Sequence, residues 1–195
     1  MPDAKAPAAP ARAPINKSFG AAGVSFLAIA TAAAMLQAPV TARHEGEKLH
    51  AYLDPAKVAT ICSGRTKGVT LHMTATHAQC KAWLNDDLIA HTLAALNAVP
   101  VLAEQQGVLR QAGDFGLNAG DARFAASPMA VQFRLRRWRQ GCEAFRGYVT
   151  LGRAAKIEPG YRYVRNRQGK LYRELPGLVA RREDERARCL AGLPA

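Results

Sequence analysis

Residues 18–40, SFGAAGVSFLAIATAAAMLQAPV, carry no charged side chain, and this stretch restricts what the chain can become more than any other. As a helix rising ~1.5 Å per residue it would reach about 34 Å, enough to cross a bilayer. Lys5, Arg12 and Lys17 precede it against a single Asp3, so the positive-inside tendency keeps the amino terminus in the cytoplasm and sends the remainder outward. Yet ten of its twenty-three residues are Ala or Gly, which contribute little transfer free energy. Such a helix is a poor anchor and can leave the membrane. A cleavable signal peptide is the competing reading, with cut sites at Ala32-Ala33-Ala34 or Ala38-Pro39-Val40, the proline counting against the second. Residues 1–17, rich in Ala and Pro, are expected to form a disordered cytoplasmic leader.

The remaining length, within a total of 195 residues, suits one well-buried domain over 41–195. Twenty-seven Lys and Arg against fifteen Asp and Glu give a net charge of +12, which attracts polyanions: a bacterial envelope, a membrane surface or nucleic acid. The basic run Arg134, Arg136, Arg137, Arg139 includes one aromatic, Trp138, and no nucleic-acid reading motif, so it reads as a solvated helix face. No nucleic-acid partner is expected. His44, His50, His72, His77 and His91 form no ligand pattern, and neither a metal nor another cofactor is expected.

Local signals predict a mainly helical α+β chain. Thr76-His77-Ala78-Gln79 is a capping box, after which Leu84, Leu88, Leu93 and Leu96 recur at near-helical spacing up to Pro100. Ser127-Pro128 starts another helix, with Val131, Leu135 and Trp138 expected on one core-facing side. A last helix follows Pro176 and bears Arg181, Arg182 and Glu185. Between them, over 143–174, YRYV and KLYREL flank Arg165-Asn166-Arg167-Gln168-Gly169 as strands flank a turn, which predicts a β-hairpin. Its tyrosines and arginines either bind glycan or pack on the domain.

The stretch Glu45 to Thr66 supplies the chemistry. Eight residues separate Glu45 from Asp54, and five separate Asp54 from Thr60. Cleaving a glycosidic bond with inversion needs one carboxylic acid to protonate the leaving oxygen and a second carboxylate to hold water on the opposite face. Glu45-Gly46, Tyr52, Asp54, Thr60-Ile61, Gly64 and Thr66 resemble the pattern EGxxxxxYxDxxGxxTIGxGHT of the phage-type lysozymes, glycoside hydrolase family 24. The likeness continues in Gly116-Leu117-Asn118-Ala119-Gly120, in Arg137-Trp138 and in Leu175-Pro176-Gly177-Leu178-Val179 with Arg181-Arg182 and Glu185. Lys57 stands where the family usually has glycine, which questions the turn after Asp54, and Arg65 stands where it usually has histidine.

The resemblance implies a two-lobed lysozyme-like domain with a small β-hairpin lobe, preceded by one N-terminal hydrophobic helix. It implies a muramidase acting on peptidoglycan as a monomer, in the lysis of a host cell. Glu45 would be the general acid, kept protonated by an enclosed site; Asp54 would activate water with the Thr60 hydroxyl as its hydrogen-bonding companion, and Asn118 would bind substrate. Residues 18–40 resemble the signal-arrest-release helix of some phage endolysins of this family, tethered to the inner membrane and then freed into the periplasm. Because family members pack a helix before the EG pair against the domain, tethering and activity should exclude each other. Four cysteines allow three connectivities. Likeness to exported relatives favours Cys62 with Cys80, leaving Cys142 with Cys189, against the alternative of four buried thiols. Three other outcomes stay open at this stage: a wall-binding protein whose chemistry is lost, a lytic transglycosylase, and a protein that permeabilises the bilayer through 18–40.

Overall fold

The computed structural model describes residues 18–19, 24–54, 57–150, 157, 159–166 and 168–194; the leader expected at 1–17 lies outside them. Two short antiparallel strands, β1 (Ser18–Phe19) and β2 (Val24–Ser25), lead into helix α1 (Phe26–Glu45). The Ser25 hydroxyl accepts the Ala28 N–H at 3.2 Å and so caps its first turn. The helix thus begins eight residues later than the uncharged stretch does, and it continues through Pro39 and Thr41 to end on Glu45. Residues 26–45 therefore form one continuous helix that runs across position 40.

The inner face of α1 is Phe26, Ala30, Ala33, Ala34, Gln37, Ala38 and Thr41, a helical stripe of mostly small side chains. Alanines at these positions let the helix lie close against α2 (His77–Ala98) and α3 (Gln106–Ala119). The same alanines that make it a weak anchor make it a good packing surface.

After α1, strands β3 (Lys48–Leu53) and β4 (Ala59–Cys62) pair antiparallel, Tyr52 opposite Thr60, with a bulge toward Lys48. They form the small lobe around Ile61, Ala75 and the Cys62–Cys80 disulfide, which ties the lobe to the start of α2. The capping box holds as expected: the Thr76 hydroxyl accepts the Gln79 N–H while the Gln79 side chain accepts the Thr76 N–H. Leu84, Leu88 and Leu96 are buried and Leu93 is half-buried. At the crossing of α2 and α3 a Cβ on Gly113 would sit 2.2 Å from the Thr92 hydroxyl, so only glycine admits this approach.

The main lobe is completed by a short 3-10 turn (Pro100–Glu104), α4 (Asp121–Ala125), α5 (Pro128–Arg134), α6 (Trp138–Glu143), a second 3-10 turn (Ala144–Gly147) and α7 (Pro176–Ala191). The face expected on α5 is different. Val131 and Leu135 are exposed, and Met129, Ala130 and Phe133 are buried instead. The helix stops at Arg134, and Arg136 takes a positive φ of 54°, so Trp138 opens α6 on a new axis and shares no face with Val131. The basic run is split by the same break. Arg134 donates to the Ala98 and Ala125 carbonyls, and Arg136 pairs with Glu104, so these two act as local fasteners rather than as a continuous solvated stripe.

The expected hairpin is present as β5 (Tyr163–Arg165) and β6 (Leu171–Arg173), its turn organised by the Asn166 side chain accepting the Gln168 and Lys170 N–H groups. The second disulfide, Cys142–Cys189, joins α6 to α7. Both pairings are those favoured on the family likeness.

Candidate active site

Glu45 is the last residue of α1, at the junction of the two lobes. Gly46 follows with φ 67°, a conformation that glycine adopts without steric penalty, and this sharp exit turns the chain from the helix into β3. A cleft of about 190 Å³ opens there, lined by Glu45, Gly64, Arg65, Trp83, Asp87 and Asn118 among others. A Cβ placed on Gly64 would lie 3.7 Å from Glu45 Oε2, so this oxygen faces the loop that forms the cleft's opposite wall. The other oxygen, Oε1, accepts from Arg181 Nη1. Glu45 is accordingly held by a guanidinium at one of its two oxygens.

Arg181 belongs to a buried charge network that α7 carries into the core. Its Nη2 donates to Asp114 Oδ1 at 3.2 Å and its Nε to Glu185 Oε1 at 3.2 Å. Arg182 donates to Asn118 Oδ1 at 2.5 Å and to Glu185 at 3.1 Å, with its guanidinium 4.7 Å from the Phe115 ring centroid. Three carboxyl groups, Glu45, Asp114 and Glu185, thus face two guanidinium groups. Burial pushes the Glu185 carboxyl up to about 8, against the pull of Arg182, and Glu185 Oε2 has no partner among the described residues. A proton kept on Glu185 removes one negative charge from a region where an unpaired ion is expensive.

Helix α1 enters this network through its only buried polar side chains. The Thr41 hydroxyl donates to Asp114 Oδ1 at 2.7 Å, and Gln37 Oε1 accepts from Gln111 at 3.1 Å. A chain of contacts therefore runs from Thr41 through Asp114 and Arg181 to Glu45. Beyond it, the His44 ring meets Asp184 at 2.9 Å.

Asp54 and Thr60 lie elsewhere. Asp54 follows β3 and accepts the Val58 N–H at 2.8 Å, closing the turn between the strands; it does not line the cleft around Glu45. Thr60 is buried, and its hydroxyl donates to the Val58 carbonyl at 3.0 Å rather than to Asp54, because β4 turns that side chain back along its own strand. Lys57 adopts φ 61°, so the turn keeps a glycine-type backbone with lysine in place. Arg65 makes a two-pronged pair with Asp87, 3.0 and 2.9 Å from Nη1 to the two oxygens, over the Trp83 ring. This pair lines the cleft beside Glu45. Asn118 does reach the cleft, but its Oδ1 is occupied by Arg182. Arg181, Arg182, Asp114 and Glu185 were not legible as a buried site: an Arg-Arg-Glu-Asp-Glu run reads as a solvated helix face. Among the described residues no group of three His, Cys, Asp or Glu gathers as metal ligands would.

A helix-ending glutamate in a cleft between a β lobe and a helical lobe defines a lysozyme-like architecture, and the chain belongs to the phage lysozyme family, whose pattern matches residues 42–185. It is 29% identical over 186 residues to a SAR-endolysin of Bacteriophage PS119, covering 93% of this chain and 98% of that one. It is 30% identical over 176 residues to a SAR-endolysin of Enterobacteria phage PA-2, covering 88% and 93%. Among solved structures, an endolysin from Escherichia coli O157:H7 phage FAHEc1 has the same fold, with a TM-score of 0.65 at 20% identity over 82% of this chain and 93% of that one. The N-terminal apolar helix, long and apolar enough to cross a membrane, accords with the signal-arrest-release type.

Proposed function

We propose that the protein is an endolysin that hydrolyses the β-1,4 bond between N-acetylmuramic acid and N-acetylglucosamine in peptidoglycan, and that it lyses a host cell. The observation that carries this reading is the position of Glu45: one oxygen is fixed by Arg181 and the other faces a cleft between the lobes. Glu45 would deliver its proton to the departing glycosidic oxygen. Asp54, in the turn between β3 and β4 and outside the cleft lining, would have to be carried to the glycan by a movement of that hairpin to hold the attacking water on the other side of the sugar, as an inverting mechanism requires. Asn118 would contact the glycan from the main lobe.

Regulation follows from α1. Residues 18–40 would first span the inner membrane with the amino terminus in the cytoplasm, and the enzyme would form in the periplasm once the helix leaves lipid. While it spans, Thr41 cannot reach Asp114, and Glu45 sits at the lipid interface. The experiment is Glu45→Gln in the oxidised, released protein. Turbidity loss of permeabilised cells should stop while the variant still folds and unfolds cooperatively, and a variant that still degrades walls would refute the assignment. Mass spectrometry of muropeptides released by the unaltered protein should show reducing ends; anhydro ends would make the reaction a transglycosylation.

A further inference from the structure

The outward face of α1 in the folded enzyme is apolar along almost its whole length. Leu27, Met35 and Leu36 are 55%, 47% and 62% exposed, with Ala28, Ala32, Pro39 and Ala42 between and beyond them, and the first charged side chain is Arg43. A surface helix ordinarily turns charge toward water. This one has none to turn, because a stretch that suits lipid offers no polar residues for the outer face once it packs. Beside the ridge lies a groove of about 580 Å³ between α1 and α2, with Met35, Ala38, Pro39 and Leu84 in its walls and Lys81 at its edge.

We infer that this ridge is a docking surface by which the released enzyme binds an anionic phospholipid bilayer from the side, without spanning it. Three observations select that occupant. Cations border the ridge, Arg43 on α1 itself and Lys81 across the groove, on a chain of net charge +12 whose sequence before residue 18 adds Lys5, Arg12 and Lys17. An apolar strip flanked by cations is the arrangement of helices that lie in a headgroup layer. A second copy fits poorly: two chains of +12 repel each other. The strip, about 24 Å long and ~10 Å wide, also falls well short of the ~800 Å² per partner of a stable interface. Docked in this way, the enzyme keeps its packed α1 and its cleft. It acts while held near the membrane and does not diffuse through the whole periplasm.

The inference goes beyond the muramidase reading and is tested apart from it. The oxidised full-length protein would be sedimented with vesicles of phosphatidylethanolamine and phosphatidylglycerol, with phosphatidylcholine vesicles as control. Wall hydrolysis would be assayed in both the bound and the free fractions. The expected result is binding to the anionic vesicles, active enzyme in the bound fraction, and at least tenfold weaker binding for Leu27→Gln/Met35→Gln/Leu36→Gln with hydrolysis in solution unchanged. Equal binding by the triple variant would overturn the inference, since charge alone would then account for it. So would a bound fraction without activity, which would mean that α1 had unpacked and inserted, or a dimer in solution that the triple variant abolishes without any vesicle binding. Loss of hydrolysis everywhere, with vesicle binding intact, would count against the catalytic reading and leave the docking surface supported.

Discussion

Replacing Thr41 with valine isolates the link between α1 and the buried charges. The two side chains have nearly the same shape, so the stripe that α1 buries is preserved while Asp114 Oδ1 loses its 2.7 Å hydrogen bond. Asp114 is fully buried, and its Oδ2 has no partner among the described residues, so the carboxylate would be left to Arg181 alone. A hydrogen bond to a charged group contributes about 1.5–3 kcal/mol. In a chain of this length each kcal/mol moves Tm by roughly 2–4 °C, so a loss near 2 kcal/mol lowers it by about 4–8 °C. Valine also sits more comfortably in lipid than threonine does, so the same change favours the tethered state. The assay is thermal unfolding of the purified oxidised protein, with the fraction released from membranes measured alongside. A Tm within about 1 °C of the unaltered protein and an unchanged released fraction would refute the idea that α1 docks through Asp114.

Two further expectations concern other parts of the same argument. Lys57→Gly relieves a left-handed lysine, a conformation that costs about 1–2 kcal/mol, and gives back part of that through a freer unfolded chain. Tm should rise by about 1–4 °C, and a fall would show that φ 61° is not strained here. Glu185 holds its proton up to about 8 in the fold against an ordinary value of 4.5, so the folded state binds the extra proton between those values. The stability it contributes is complete below about pH 4.5 and is lost as pH rises toward 8. Relative to Glu185→Gln, which cannot titrate, the unaltered protein should lose thermal stability across that window. Parallel pH profiles would contradict the assignment.

What the sequence made legible was local or covalent. The Thr76 cap, the Ser127-Pro128 helix start and the hairpin around Asn166 each depend on a few neighbouring residues, and each formed as read. The apolar stretch was legible in composition, whereas the ends of the helix it joins are set by Ser25 and Gly46, neither of them an apolar residue. Val131 and Leu135 misled because they share the outer side of α5 while Met129, Ala130 and Phe133 face the core, and Trp138 lies beyond the positive φ at Arg136 that ends the axis. The charge network around Arg181 was hidden for a deeper reason. Arg181, Arg182 and Glu185 are buried by what α1 and α3 bring against them, and nothing local distinguishes a guanidinium in the core from one in water. Thr60 shows the same limit, since its partner depends on how β4 turns at Val58.

Spanning a membrane and completing the site at Glu45 are expected to be mutually exclusive for α1. Carbonate washing of membranes from cells expressing the full chain strips peripheral protein and keeps only spanning molecules. The wall-hydrolysing activity per molecule of that washed fraction is then compared with that of the released protein. The account predicts activity near zero in the spanning fraction and full activity in the released one. Equal activity in the two would contradict it.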